Sequence, residues 1–225
     1  DFPIDAALRA NAPGARPRAC AGPPACGAIS LMKILVFAGS TRQQSFNRKL
    51  ATVAAQMVRD AGAEVTQLEL ADHELPIYNA DLEARGTPDA AIRLKAIFHA
   101  HPGWIICSPE YNGSYTALLK NTLDWVSSPV KGHPDWSSGT RPFADKVVGL
   151  LSASPGALGG VRSLSHLAPL LANLQCWVSP KQFALSRAGE AFDAQGQLTS
   201  EASRANVETV VKKVLWATGK LHAAP

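Results

Sequence analysis

At 225 residues, with 46% hydrophobic and 18% charged side chains, the chain has the make-up of one globular domain able to bury a sizeable core. A net charge of +4 favours anionic ligands such as phosphates and nicotinamide nucleotides, but no run of five or six like charges marks a nucleic-acid binder. No stretch approaches the roughly 18 consecutive apolar residues of a membrane helix, and the first 31 residues lack the basic-then-apolar order of a secretory signal, so a cytoplasmic protein is expected.

Residues 1–31 are rich in Ala, Pro, Gly and Arg and show no hydrophobic period, which predicts a disordered N-terminal extension. Met32 then directly precedes a strand and reads as a natural start; a targeting tail is the rival reading of the extension. Cys20 and Cys26 lie there without the tight pairing of a zinc site. One domain is expected over 32–220. Ile34-Leu35-Val36-Phe37 is a continuous apolar run, as for a strand buried on both faces. Leu50 to Ala61 carries a helical stripe that Gly62 ends, and Val65 to Leu70 reads as a second strand. A Pro-containing loop precedes a helix from Pro88 to Ala100. Trp104-Ile105-Ile106-Cys107 is the third strand and Tyr115 to Val126 the next helix. Lys146 to Leu151 is the fourth strand, Gly160 to Leu171 the fourth helix, and Cys176-Trp177-Val178 begins a fifth strand. The last helix runs from about Ser200 to Trp216. Strands alternating with helices predict an α/β fold, a parallel sheet between two helical layers. Cys107 and Cys176 read as buried thiols. His99 and His101 lack a ligand set around them and read as solvated side chains rather than a metal pair.

Three loops follow strands and so share one edge of such a sheet. Gly39-Ser40-Thr41-Arg42-Gln43-Gln44-Ser45-Phe46-Asn47 leaves a buried strand and enters a helix, where unpaired N–H groups and the helix dipole attract an anion. Ser40, Ser45 and Asn47 add neutral donors, and Arg42 adds a charged fork suited to phosphate. Read locally, the loop is equally a turn with Ser45 or Asn47 as helix cap. It has neither the Walker ending nor the Rossmann glycine spacing. Ser108-Pro109-Glu110-Tyr111-Asn112-Gly113-Ser114 could meet the polar edge and face of a flat heterocycle; the plainer reading is an Asn-Gly turn with a solvated Glu110. Ser152-Ala153-Ser154-Pro155-Gly156 opens the third loop, which is either a second anion-tolerant edge or a flexible connector. Taken together, three such loops define a cleft that is the default ligand site.

The first loop, the Ser108–Ser114 loop and Leu119-Lys-Asn-Thr-Leu-Asp-Trp125 resemble the NADPH-dependent FMN reductase family, in its order and spacing over about residues 33–180. The resemblance implies a flavodoxin-like three-layer sandwich, a five-stranded parallel sheet in order 2-1-3-4-5 with helices on both faces. It implies noncovalent FMN, with Ser40, Arg42, Ser45 and Asn47 on the phosphate. Pro109, Glu110, Tyr111 and Asn112 would line the ring, and Ser152 and Ser154 would touch the cofactor. NADPH or NADH would reduce the flavin, and a small acceptor such as a quinone, azo compound, chromate or free flavin would reoxidise it from the same place. A homodimer or homotetramer is implied too. No residue is singled out as catalytic, because the flavin carries the bond-making chemistry. A noncatalytic electron carrier or FMN-binding regulatory module is the alternative, although an electron carrier usually has an acidic docking face and this chain is net positive.

Overall fold

An unbroken apolar run can be satisfied only where both faces of a strand are covered, and that is where β1 (Lys33–Ala38) lies. The computed structural model describes residues 32–222; the expected extension, with Cys20 and Cys26, falls outside them. β2 (Glu64–Leu68) pairs with one side of β1 and β3 (Gly103–Cys107) with the other, and β4 (Val147–Ala153) extends the sheet beyond β3. Every pairing is parallel. The fifth position holds two pieces rather than one strand: β5 (Trp177–Val178) pairs with the start of β4 and β6 (Phe183–Leu185) with its end. Pro180 lies between them and has no N–H for the ladder, a reason for the strand to break there. The expected order 2-1-3-4-5 is observed, with β6 continuing the fifth position.

The helices are α1 (Phe46–Asp60), α2 (Ala80–Arg85), α3 (Asp89–Ala100), α4 (Ala117–Ser127), α5 (Val161–Asn173) and α6 (Glu201–Leu221). α1 and α6 bury their apolar stripes on one face of the sheet, and α3, α4 and α5 cover the other. α6 lies so close to the strands that a Cβ at Gly149 would sit 2.5 Å from Val214 Cγ2. Two local readings change. The expected second strand stops at Leu68, and Leu70 belongs to a short 3₁₀ turn. The expected loop before α3 contains α2, capped by the Asn79 side chain on the Asp81 and Leu82 N–H groups.

Two buried polar residues of the α3 layer tie elements together. Lys95 is fully buried; its ammonium donates to Trp125 O at 2.9 Å, Val126 O at 3.0 Å and Ser128 O, carbonyls at the C-terminus of α4. His101 is not solvated as expected. It is 6% exposed, with Nδ1 2.6 Å from Ile97 O and Nε2 2.7 Å from the Thr66 hydroxyl, a pair of contacts that the neutral ring satisfies by donating to the first and accepting from the second.

Candidate functional site

Because the strands are parallel, the loops leaving β1, β3 and β4 emerge at one sheet edge, and side chains lock them into one unit. Gly39 N–H donates to Cys107 O at 2.9 Å, and the Thr116 hydroxyl donates to Gly39 O at 2.7 Å, joining the first loop to the second. Asn47 joins the first to the third: its amide donates to Ala153 O at 2.8 Å and accepts from Ala153 N–H at 2.9 Å. Between the loops is a small cavity of about 140 Å³, lined among others by Arg42, Ser45, Pro109, Glu110, Tyr111 and Ser154.

One end of this cleft suits an anion. Ser45 is the N-cap of α1, yet its hydroxyl makes no capping bond, and no acidic residue occupies the first turn. The first-turn N–H groups therefore lack an intrahelical partner and a neutralising side chain. Arg42 makes no ion pair among the described residues; its guanidinium lies 5.6 Å from the centre of the Phe46 ring. Ser40 is buried, and its hydroxyl accepts from Arg42 N–H at 3.3 Å, which holds the turn. A charged fork, an unspent hydroxyl and free N–H groups around one space fit a phosphate. The side chain of Asn47 is partly spent on Ala153, which takes one amide N–H and donates to the amide oxygen; its second amide N–H and its backbone N–H remain for an anion.

The second and third loops border the rest of this cavity. Asn112 and Gly113 both have positive φ, 51° and 81°, and Tyr111 and Ser114 exchange backbone bonds of 2.9 and 3.1 Å across them. This is the Asn-Gly hairpin turn, and it leaves Tyr111 54% exposed at the rim. Glu110 is not solvated: its carboxylate is 8% exposed, accepts from Arg162 Nε at 2.7 Å and from Arg162 N–H at 3.0 Å, and also meets the Arg162 NH2 group. Burial pushes this carboxyl up, but the Arg162 hydrogen bonds and charge outweigh it and hold it below the ordinary value. Ser152 also departs from expectation. It is fully buried beneath Gly160, where any Cβ would collide with its hydroxyl, and that hydroxyl has no hydrogen-bond partner among the described residues. Ser154 does line the cleft, its hydroxyl accepting from Gly156 N–H at 3.3 Å. Cys107, next to this loop, is a buried thiol whose pKa burial raises far above the ordinary value, so it stays protonated and inert. Arg162 and His166, one turn apart on α5, were not evident as site residues; His166 Nδ1 lies 3.1 Å from the Ser114 hydroxyl.

A 2-1-3-4-5 parallel sheet with a cleft between the loops that leave β1, β3 and β4 defines the flavodoxin-like class of flavin-binding proteins. The family model for NADPH-dependent FMN reductase matches residues 32–190, and the chain belongs to that family. An NAD(P)H-dependent FMN reductase of Pseudomonas aeruginosa is 32% identical over 188 residues, covering 82% of this chain and 95% of that protein. An NAD(P)H:quinone oxidoreductase of Solanum tuberosum is 30% identical over 187 residues, covering 80% of this chain and 90% of that protein. Among solved structures, the flavoenzyme NAD(P)H:(acceptor) oxidoreductase FerB of Paracoccus denitrificans has a TM-score of 0.70 at 27% identity, covering 83% of this chain and 97% of that one. The protein is thus an oxidoreductase with FMN as cofactor and NAD(P)H as co-substrate.

Proposed function

We propose that the enzyme passes electrons from NADPH or NADH to small acceptors, quinones first among them and azo compounds, chromate and free flavin in the same class. When bound, FMN supplies the redox chemistry, taking hydride from the nicotinamide and delivering electrons to the acceptor. The observation that carries this reading is Arg42, without a counterion among the described residues, and the uncapped α1 N-terminus beside the cavity between the three loops. Ser40, Arg42, Ser45 and Asn47 hold the phosphate; Pro109, Glu110, Tyr111, Asn112 and Ser154 border the ring, with Arg162 acting through Glu110. Glu110, the carboxylate among the described residues that line the cleft, is ion-paired, so the protein's part is to position the ring and exclude water.

The rim supports an assembled state. Tyr111 and Leu158, on loops around the cleft, and Val161, at the start of α5, are 54%, 58% and 43% exposed, and a second subunit covering them makes a homodimer or homotetramer. The working compartment is the cytoplasm; no described helix is long and apolar enough to cross a membrane. The test is reconstitution with FMN, anaerobic addition of NADPH, then menadione. Bleaching followed by turnover supports the enzyme. Flavin uptake without bleaching overturns it in favour of a carrier or regulatory module, and no uptake overturns the cofactor assignment itself.

A further inference from the structure

The second loop is held by α5 through more contacts than a turn needs. Glu110 accepts three donors from Arg162, counting both side-chain groups and the backbone N–H. The Ser163 hydroxyl reaches Ser108 O at 3.3 Å, and His166 meets the Ser114 hydroxyl at 3.1 Å. Arg162 also runs beside the hairpin turn, its Nε and Cζ 3.9 Å from where a Gly113 side chain would begin. α5 needs an outside partner at this end: its N-cap is Gly160, with φ 91° and no side chain to offer, and no acidic residue lies in its own first turn. Glu110 fills that role from another loop.

This arrangement sets a formal negative charge in the lining of the cleft, its side chain 8% exposed, with the solvent-facing Arg162 guanidinium neutralising it. Reduction of a flavin adds negative charge to the ring. An unpaired carboxylate in the same lining would oppose that, and a neutralised one would not.

We infer that the Glu110–Arg162 pair sets the redox equilibrium of the bound flavin, with Arg162 cancelling the charge of the carboxylate that the hairpin brings to the cleft. Arg162 acts through Glu110 and is therefore a positioning and tuning residue rather than a catalytic one. The inference rests on the FMN assignment above but is separable from it: a wild-type protein that takes up no FMN overturns that assignment, whereas the pair is judged only on flavin-loaded protein.

The experiment is spectroelectrochemical titration of flavin-loaded Arg162→Met, Arg162→Lys, Glu110→Gln and His166→Ala. Arg162→Met is expected to shift the oxidised-to-reduced equilibrium toward the oxidised form by about tenfold, a midpoint about 30 mV lower for a two-electron couple. Arg162→Lys restores most of the shift. Glu110→Gln, which removes the charge and keeps the shape, does not lower the midpoint, and the double variant Glu110→Gln/Arg162→Met recovers toward wild type. His166→Ala cuts a different hairpin tether and leaves the pair intact, so its midpoint stays at the wild-type value. An unchanged midpoint in Arg162→Met overturns the inference, as does an equal drop in His166→Ala, which would assign the effect to hairpin displacement. Should Arg162→Met fail to fold, Glu110→Gln decides: a lower midpoint there overturns it.

Discussion

Arg42 and Arg162 carry the same side chain at two edges of one cleft, and their surroundings give them opposite tasks. Arg162 is spent on Glu110, a partner 52 residues away in sequence. Arg42 has the Phe46 ring beneath it and no counterion among the described residues, so its fork remains for a ligand. A charge-assisted contact of this kind is worth about 1.5–3 kcal/mol. Arg42→Ala is therefore expected to weaken FMN binding about tenfold or more, measured by quenching of flavin fluorescence on titration. The same change should move the unloaded protein's unfolding midpoint only slightly, because the guanidinium's contact among the described residues is its exposed approach to the Phe46 ring. An affinity equal to wild type would remove Arg42 from the phosphate site.

At the scale of elements, two buried joints, one within the α3–α4 layer and one between α3 and the sheet, carry predictions. Lys95 joins α3 to the end of α4, and burial lowers its pKa to about 8, so at neutral pH it remains charged and satisfies three carbonyls. Lys95→Met would strand those carbonyls in the core. A loss on the order of 3 kcal/mol is expected in urea unfolding, against little change for exposed Lys131→Met. His101 joins α3 to β2 and gives a pH dependence. Burial lowers its pKa below the ordinary 6.5, with the Lys33 and Lys146 charges acting in the same direction and the Ile97 carbonyl and Glu64 opposing. Between 6.5 and the lower folded value, the unfolded chain binds the proton and the native ring does not. Stability contributed by this site is full above 6.5 and falls as the pH drops through that window. His101→Asn should flatten that part of the stability-against-pH curve, read by chemical denaturation at pH 7.5 and 5.

The same contrast explains what was legible in the sequence. β1, β3 and β4 announce themselves because a strand covered on both faces is a solid apolar run, and α1, α4, α5 and α6 because each has a buried stripe. α2 has no buried residue and hence no period to read; its only mark is local, Asn79 ahead of Asp81 and Glu83 with Arg85-Gly86 at the end. β6 is three residues, Phe183 and Ala184 half-buried and Leu185 buried, whose strand character comes from pairing with β4. The loops of the site were legible as glycine- and serine-rich exits from strands. The fates of particular side chains were not, because the partners are remote: Ala153 lies 106 residues from Asn47, and Ser152 is buried by a loop that folds back over it. Glu110 reads as solvated until Arg162 is placed beside it.

For the whole molecule, these loops form a rim that only a ligand completes, and ligand binding must therefore appear as global stability. A ligand that binds only the folded state stabilises it by about 2.7 kcal/mol at a free concentration of 100 times Kd. For a domain of this size each kcal/mol moves Tm by about 2–4 °C, so FMN is expected to raise Tm by about 5–10 °C. Riboflavin presents the same ring without the phosphate. It engages the hairpin and third loop but not Arg42 or the α1 N-terminus, and at equal concentration its shift should be well under half as large. Arg42→Ala should shrink the FMN shift toward the riboflavin value and leave the riboflavin shift where it was. Equal shifts for the two ligands in the wild-type protein would mean that the first loop does not hold the phosphate, and that the uncapped helix and the free guanidinium serve some other anion.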